Sequence, residues 1–156
     1  MAATQALLFL QAQHVEITLH PYLYDPQSDA VGLAAARALN LDPALTLKTL
    51  MVEVDGRPAC CVIPSDRQLS MKKVAAIFGG KQAAMMPPAQ AEKLTGYRVG
   101  GISPFGQKRA VPTAFEATAC IAPKVWINAG QRGLLLGIDP QQALAALAAK
   151  AANLIA

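Results

Sequence analysis

Ten residues concentrate the groups that could do chemistry: Gly100-Gly101-Ile102-Ser103-Pro104-Phe105-Gly106-Gln107-Lys108-Arg109. Three glycines, a serine, a proline and two cations fall in this run, and no acid does. Glycine lets the backbone reach positive φ and lets a ligand approach main-chain N–H groups, while Pro104 limits the floppiness the glycines bring. Successive free N–H groups make a concave donor site, and Lys108 and Arg109 supply charge beside it, so the loop suits an anion or a carbonyl. On composition alone a plain glycine-rich surface turn before a strand is the slightly better reading. Lys48 is a second candidate, a cation near the start of the apolar stretch Leu47-Lys48-Thr49-Leu50-Met51-Val52. Such a lysine ordinarily snorkels to water or pairs with a carboxylate such as Glu53 or Asp66. Tyr22 is a third, an aromatic whose hydroxyl at a rim would sit in water.

Other catalytic sets are missing. His14 and His20 are the only histidines, no serine-histidine-acid or paired-carboxylate arrangement is legible, and His20 better suits the end of a strand than a base. The glycine loop matches neither GxGxxG nor GxxxxGK[ST], which excludes dinucleotide and P-loop readings. Cys60, Cys61 and Cys120 are odd in number and lack metal-ligand spacing with the histidines. Adjacent residues of a strand point to opposite faces, so Cys60 and Cys61 read as core residues in a reducing compartment. No metal or cofactor is expected.

These residues must be held by helices and strands that the pattern places as follows. Residues 3–13 read as a helix and Val15 to Leu19, alternating with period two, as a strand that His20-Pro21-Tyr22 ends. Ser28 or Asp29 caps a second helix through Leu39, with Asn40 as a left-handed stop. Pro43 to Thr46 is one turn. Leu47–Val54 and Ala59 to Ile63 form a hairpin about Asp55-Gly56, and this hairpin should be central. Ser70 caps a helix to Phe78, Gln82 to Met86 is a short strand, and Pro87-Pro88 opens a helix that stops at Gly96. Val111 to Phe115 reads as a strand whose Pro112 demands an edge or a bulge. Lys124 to Asn128 and Leu134 to Leu136 are strands about the turn 130–133, and Asp139-Pro140 caps an alanine-rich helix to the end. Strands and helices mix without a regular βαβα rhythm, which gives an α+β fold with a mixed sheet.

The chain has 156 residues, 53% of them apolar and 15% charged. That length suits one domain, 1–156, able to bury about two-thirds of its unfolded surface. No apolar run approaches the roughly 18 residues of a membrane span, and residues 1–10 lack the positive segment of a signal peptide, so a cytoplasmic protein with no membrane partner is expected. The net charge of +4 leans weakly towards a polyanionic partner such as RNA.

The run Thr95 to Arg109, together with His20-Pro21-Tyr22-Leu23-Tyr24-Asp25-Pro26, Leu47-Lys48-Thr49-Leu50 and Gly130-Gln131-Arg132-Gly133-Leu134, resembles the YbaK/EbsC family, free-standing relatives of the editing domain of bacterial prolyl-tRNA synthetase. Four pieces in order cover almost the whole chain. The resemblance implies a curved, mostly antiparallel sheet partly closed into a barrel with helices outside. It implies a trans-editing aminoacyl-tRNA deacylase acting on tRNA(Pro), with prolyl-tRNA synthetase as a possible partner in a ternary complex. Lys48, Gly100 and Gly101 would be the catalytic positions, Lys48 holding a phosphate or ribose oxygen and the glycine amides aligning the carbonyl. Tyr22, Ile102, Ser103, Pro104, Lys108 and Arg132 would border the substrate, and Tyr24 would be scaffold. For a cysteinyl ester the family also implies that the substrate's own thiol attacks the carbonyl, giving a thiolactone.

One departure stands out. The YbaK branch commonly has an acid after Arg-Gly-Leu, whereas here Arg132-Gly133-Leu134 runs into Leu135. Alanyl, seryl and threonyl esters therefore stay open as substrates. So do a non-catalytic tRNA- or synthetase-binding module and a hydrolase of another small ester.

Overall fold

A computed structural model describes residues 3–27 and 30–156. Helix α1, Gln5–Ala12, is capped by the Thr4 hydroxyl, which accepts from the Leu7 N–H, and it buries Ala6 and Leu10. Strand β1, Thr18–Pro21, starts later than the alternation of residues 15–19 suggested. Val15 and Ile17 pack on the core without pairing, because the partner strand reaches only Thr18 to Pro21. Helix α2, Val31–Ala38, ends with Asn40 at φ 54°. The expected caps Ser28 and Asp29 lie outside the described residues.

Strands β2, Leu47–Val54, and β3, Arg57–Pro64, form the expected hairpin, turning through Asp55 and Gly56 at φ 50° and 81°. Then follow α3, Met71–Ile77, capped by Ser70; β4, Ala83–Met85; α4, Pro88–Thr95; and β5, Thr113–Glu116. A 3-10 turn, Ala117–Ala119, leads to β6, Val125–Gln131, and β7, Leu134–Ile138. The chain ends with α5, Pro140–Leu147, and β8, Lys150–Ala152.

The strands make two sheets and do not close into a barrel. One has the order β4-β2-β3-β5-β8 and the other β1-β7-β6. A parallel bridge between Thr46 and Trp126 links them. Pairing is antiparallel except for β3 with β5 and β5 with β8. The hairpin β2-β3 is interior to the larger sheet, and alternation along β3 divides the core. Cys60 and Val62 join the cluster between the two sheets, with Leu10, Phe105, Ile127 and Leu136, while Cys61 and Ile63 face α3 with Val74 and Leu154.

Two expectations fail for tertiary reasons. β5 has partners on both sides, so it is no edge strand; Pro112 precedes it and only its carbonyl is used, accepting from the Cys60 N–H at 2.9 Å. The terminal helix stops at Leu147, with Ala148 left-handed at φ 50°. Alanine favours helix by tenths of a kcal/mol per residue at most, and the tail has a stronger alternative. β8 pairs with β5, Leu154 is fully buried, and the buried Glu116 carboxylate accepts from the N–H groups of Leu154 and Ile155 at 2.8 and 3.3 Å.

Candidate functional site

A cavity of about 440 Å³ opens where the start of β2 meets α2, α4, the glycine loop and the smaller sheet. Its walls are mostly apolar, including Val31, Met51, Met86 and Ile102, with a few polar groups, as small-ligand pockets usually are. Gly32 of α2 lets that helix come close, since a Cβ there would lie 2.8 Å from the Ser65 Cβ.

Lys48, the second residue of β2, enters this space half-buried. No hydrogen bond or ion pair holds its ammonium among the described residues. Burial lowers its pKa from the ordinary lysine value, and the charge of Asp66 only partly counters this. The ammonium therefore sits partly desolvated at the cavity with no protein acceptor in bonding range among the described residues. The Thr49 hydroxyl, in a residue lining the cavity, is buried without a partner among the described residues, whereas the buried Tyr22 phenol lies against the backbone of Gly133. Burial pushes the Tyr22 pKa up, so the phenol stays a neutral donor. Of these groups the Lys48 ammonium is the one the cavity exposes, and an acceptor on a ligand would offset the cost of its partial burial.

The glycine loop is shaped by the β6-β7 turn. The Arg132 Nε donates to the Val99 carbonyl at 2.8 Å, and the Asn128 Nδ2 donates to the Gly100 carbonyl at 3.1 Å. Asn128 is itself fixed, its Oδ1 accepting from the N–H groups of Gly130 and Gln131 where β6 bulges. In a trans peptide the N–H points opposite the preceding carbonyl. With the Val99 carbonyl drawn to Arg132, the Gly100 N–H is turned the other way, and it has no partner among the described residues. Gly100 lines the cavity at φ 90°, with no room for a Cβ beside the Tyr24 hydroxyl. The Ile102 N–H is likewise unpaired.

Not every expected residue arrives here. Lys48, Gly100, Tyr22 and Ile102 line the cavity. Gly101 does not serve as a donor, because its N–H already bonds the Arg98 carbonyl at 2.8 Å. It is glycine for packing, its would-be Cβ lying 3.0 Å from the Arg132 backbone nitrogen. Ser103 and Pro104 are buried away from the cavity. The Ser103 hydroxyl accepts from the Phe105 N–H at 3.3 Å, and this turn drives the fully buried Phe105 against Phe9. Arg132 stays outside, its guanidinium 5.2 Å from the Tyr24 ring centroid. Lys108 lies in a separate groove. Asn128 and Gly32 went unnoticed in the sequence; an asparagine inside an otherwise apolar strand, two residues before a glycine, was the available signal.

Among the described residues the cavity lining holds no His, Cys, Asp or Glu, nor do three such side chains cluster as a metal ion requires. The three cysteines are buried; the thiol of Cys61 is pushed up to about 12 and that of Cys120 to about 11, chiefly by burial. The site offers donors and shape.

The family model for the aminoacyl-tRNA editing domain matches residues 26–146, which takes in the glycine loop, the cavity lining apart from Tyr22, and every strand except β1 and β8. The chain belongs to the aminoacyl-tRNA editing domain family. The candidate Cys-tRNA(Pro)/Cys-tRNA(Cys) deacylase EbsC of Enterococcus faecalis is 33% identical over 113 residues, 71% of this chain and 68% of that protein. The proline–tRNA ligase of Maridesulfovibrio salexigens is 28% identical over 95 residues, 61% of this chain and 16% of the ligase. A crystal structure of a candidate trans-editing enzyme for prolyl tRNA synthetase superposes with TM-score 0.82 at 21% identity, covering 97% of this chain and 95% of that one, which shows the same fold. Within this editing domain Leu135, where the sequence departs from the YbaK pattern, lines the cavity and is 3% exposed. It pairs with His20 of β1 and Asn128 of β6. The wall that would carry an acid is apolar.

Proposed function

We propose that this editing domain cleaves the ester between a misattached amino acid and the 3′ end of tRNA(Pro), most economically a cysteinyl ester. The observation that carries this is the meeting at one cavity of a half-buried Lys48 and a Gly100 N–H, both without a partner among the described residues. The Gly100 N–H, backed by Ile102, meets the carbonyl oxygen as it becomes an oxyanion; a single donor of this kind is worth about 2.7–4 kcal/mol in well-studied hydrolases. Lys48 holds the ribose or phosphate of the terminal nucleotide, and Tyr22 closes the aminoacyl side.

No nucleophile of the protein is required for cysteine. The substrate thiol, with an ordinary pKa near 8.5, loses its proton and the sulfur attacks the ester carbonyl. The new C–S bond gives a tetrahedral oxyanion, the C–O bond to the ribose breaks, and the ribose oxygen takes a proton. Thiolactone and free tRNA leave. The absence of a carboxylate from the described lining fits a reaction whose base need only be solvent.

Leu135 favours a second substrate. An apolar wall suits a methyl group as well as a thiol, so alanyl-tRNA, attacked by water, is the alternative. Choice among tRNAs, in this reading, is helped by prolyl-tRNA synthetase in a ternary complex. The test is deacylation of tRNA(Pro) charged with cysteine, alanine, serine or proline, with products identified by mass. Loss of cysteine as thiolactone is expected. Loss of alanine as free amino acid would replace the cysteinyl assignment, and stability of all four esters with tRNA still bound would leave a binding module.

A further inference from the structure

A second concavity, about 380 Å³, is lined by Gln90, Lys93, Leu94, Lys108 and Arg109. It lies on the other side of α4 from the cavity: Pro88 and Ala91 line the cavity, whereas Gln90, Lys93 and Leu94, turned by 100° per residue, face the groove. The glycine loop joins the two. It leaves α4 at Gly96, lines the cavity with Val99, Gly100 and Ile102, and returns to the helix where the Lys108 N–H bonds the Thr95 carbonyl at 2.9 Å.

Three of the five lining residues are cations and none is acidic. Lys93, Lys108 and Arg109 are exposed, and no side-chain hydrogen bond or ion pair neutralises them among the described residues. Glu92, the acid of α4, is turned away, its carboxylate accepting from the Val99 N–H at 2.8 Å. Meanwhile a cavity of about 440 Å³ admits only the end of a nucleic acid, so the remainder of the chain must lie on the surface outside it.

We infer that the Lys93-Lys108-Arg109 groove is the docking surface for the phosphate backbone of the RNA whose 3′ end enters the cavity, an inference that rests on the deacylase reading. Unpaired exposed cations bind polyphosphate chiefly by releasing condensed counterions, which gives affinity without sequence choice and a strong salt dependence. Lys108 then acts on the body of the tRNA instead of the aminoacyl group, which explains its place outside the cavity.

The experiment compares the wild type with a Lys93→Gln/Arg109→Gln double variant. Binding of uncharged tRNA(Pro) is followed by fluorescence anisotropy over a series of salt concentrations, and deacylation is followed on charged tRNA(Pro) and on an aminoacylated CCA trinucleotide. The double variant should bind tRNA about tenfold more weakly at low salt, with the slope of log K against log salt smaller by about 2, one per lost phosphate contact. KM for charged tRNA should rise correspondingly, while kcat and trinucleotide cleavage stay unchanged. Unchanged tRNA affinity and slope would overturn the inference, as would equal losses on tRNA and trinucleotide. A loss seen only when prolyl-tRNA synthetase is present would overturn it in favour of a protein contact. A Lys93→Arg/Arg109→Lys variant should retain binding; if it fails like the glutamine variant, charge is not the cause. Should the wild type cleave neither substrate while the variant loses tRNA, the groove stands and the deacylase reading falls.

Discussion

Gly100→Ala tests the oxyanion assignment directly. A Cβ at this position would lie 2.7 Å from the Tyr24 hydroxyl and 3.2 Å from the Arg132 Nε, and the backbone sits at φ 90°. Positive φ costs an L-residue about 1–2 kcal/mol; shifts of the Tyr24 and Arg132 side chains ease the contacts but not this strain, which backbone rotation at Gly100 relieves by moving its N–H. For a chain of this size each kcal/mol lowers Tm by about 2–4 °C, so a fall of a few degrees is expected. Displacing one oxyanion donor costs about 10²–10³ in rate. Single-turnover deacylation should therefore fall far more than stability does. Tyr24→Phe alone removes the hydroxyl and should leave the rate within about threefold, less than 1 kcal/mol. Combined with Gly100→Ala it relieves the 2.7 Å contact but neither the φ strain nor the 3.2 Å approach to Arg132, so most of the rate loss should remain. A Gly100→Ala protein that melts a few degrees lower yet deacylates at close to the wild-type rate would refute the use of this N–H.

Three further outcomes are expected. Lys48→Met should abolish most deacylation while raising Tm at neutral pH, because burial lowers the Lys48 pKa and so disfavours the charged form in the folded state. By the same sign that penalty is present below the folded pKa and disappears as pH rises through it, so the Tm advantage of Lys48→Met should shrink at alkaline pH. Leu135→Ala removes a buried wall of the cavity; it should cost about 2–5 kcal/mol in urea unfolding and raise cleavage of Pro-tRNA(Pro) relative to Cys-tRNA(Pro). Glu116→Gln should destabilise by about 2–3 kcal/mol, since the carboxylate accepts bonds from the Leu154 and Ile155 N–H groups and from the Thr118 N–H and hydroxyl. Although burial pulls the other way, these bonds hold the Glu116 pKa below its ordinary value. Its stabilisation is therefore full above the unfolded carboxylate pKa of about 4.3 and is lost as pH falls through the lower folded value, and acid titration of Glu116→Gln should show a smaller loss over that range.

Local signals carried much of the fold. The hairpin β2-β3, the Ser70 cap of α3 and the stop of α4 at Gly96 are written in residues a few positions apart, and they fall where the sequence places them. What failed was decided over long separations. Nothing near Ala148 announces that the helix must end, because the cause is a carboxylate at Glu116 and a parallel partner in β5. Nor does an alternating run show whether it closes a barrel; that depends on whether the two sheets share more than the Thr46–Trp126 bridge.

The sequence by itself determined which residue types were on offer: one lysine at the head of an apolar strand, a glycine loop without acids, no histidine-acid pair, and a leucine after Arg132-Gly133-Leu134. Only the tertiary structure decided which of them meet. It sends the Gly101 N–H to the Arg98 carbonyl and leaves that of Gly100 unpaired among the described residues, and it turns Ser103 and Pro104 into a wedge for Phe105. It also places Lys108 behind α4 and brings Asn128 in to hold the loop. Residue type fixes how many donors a segment has, whereas the direction of each peptide is set by the partners that claim its carbonyls, and those partners lie some thirty residues away along the chain.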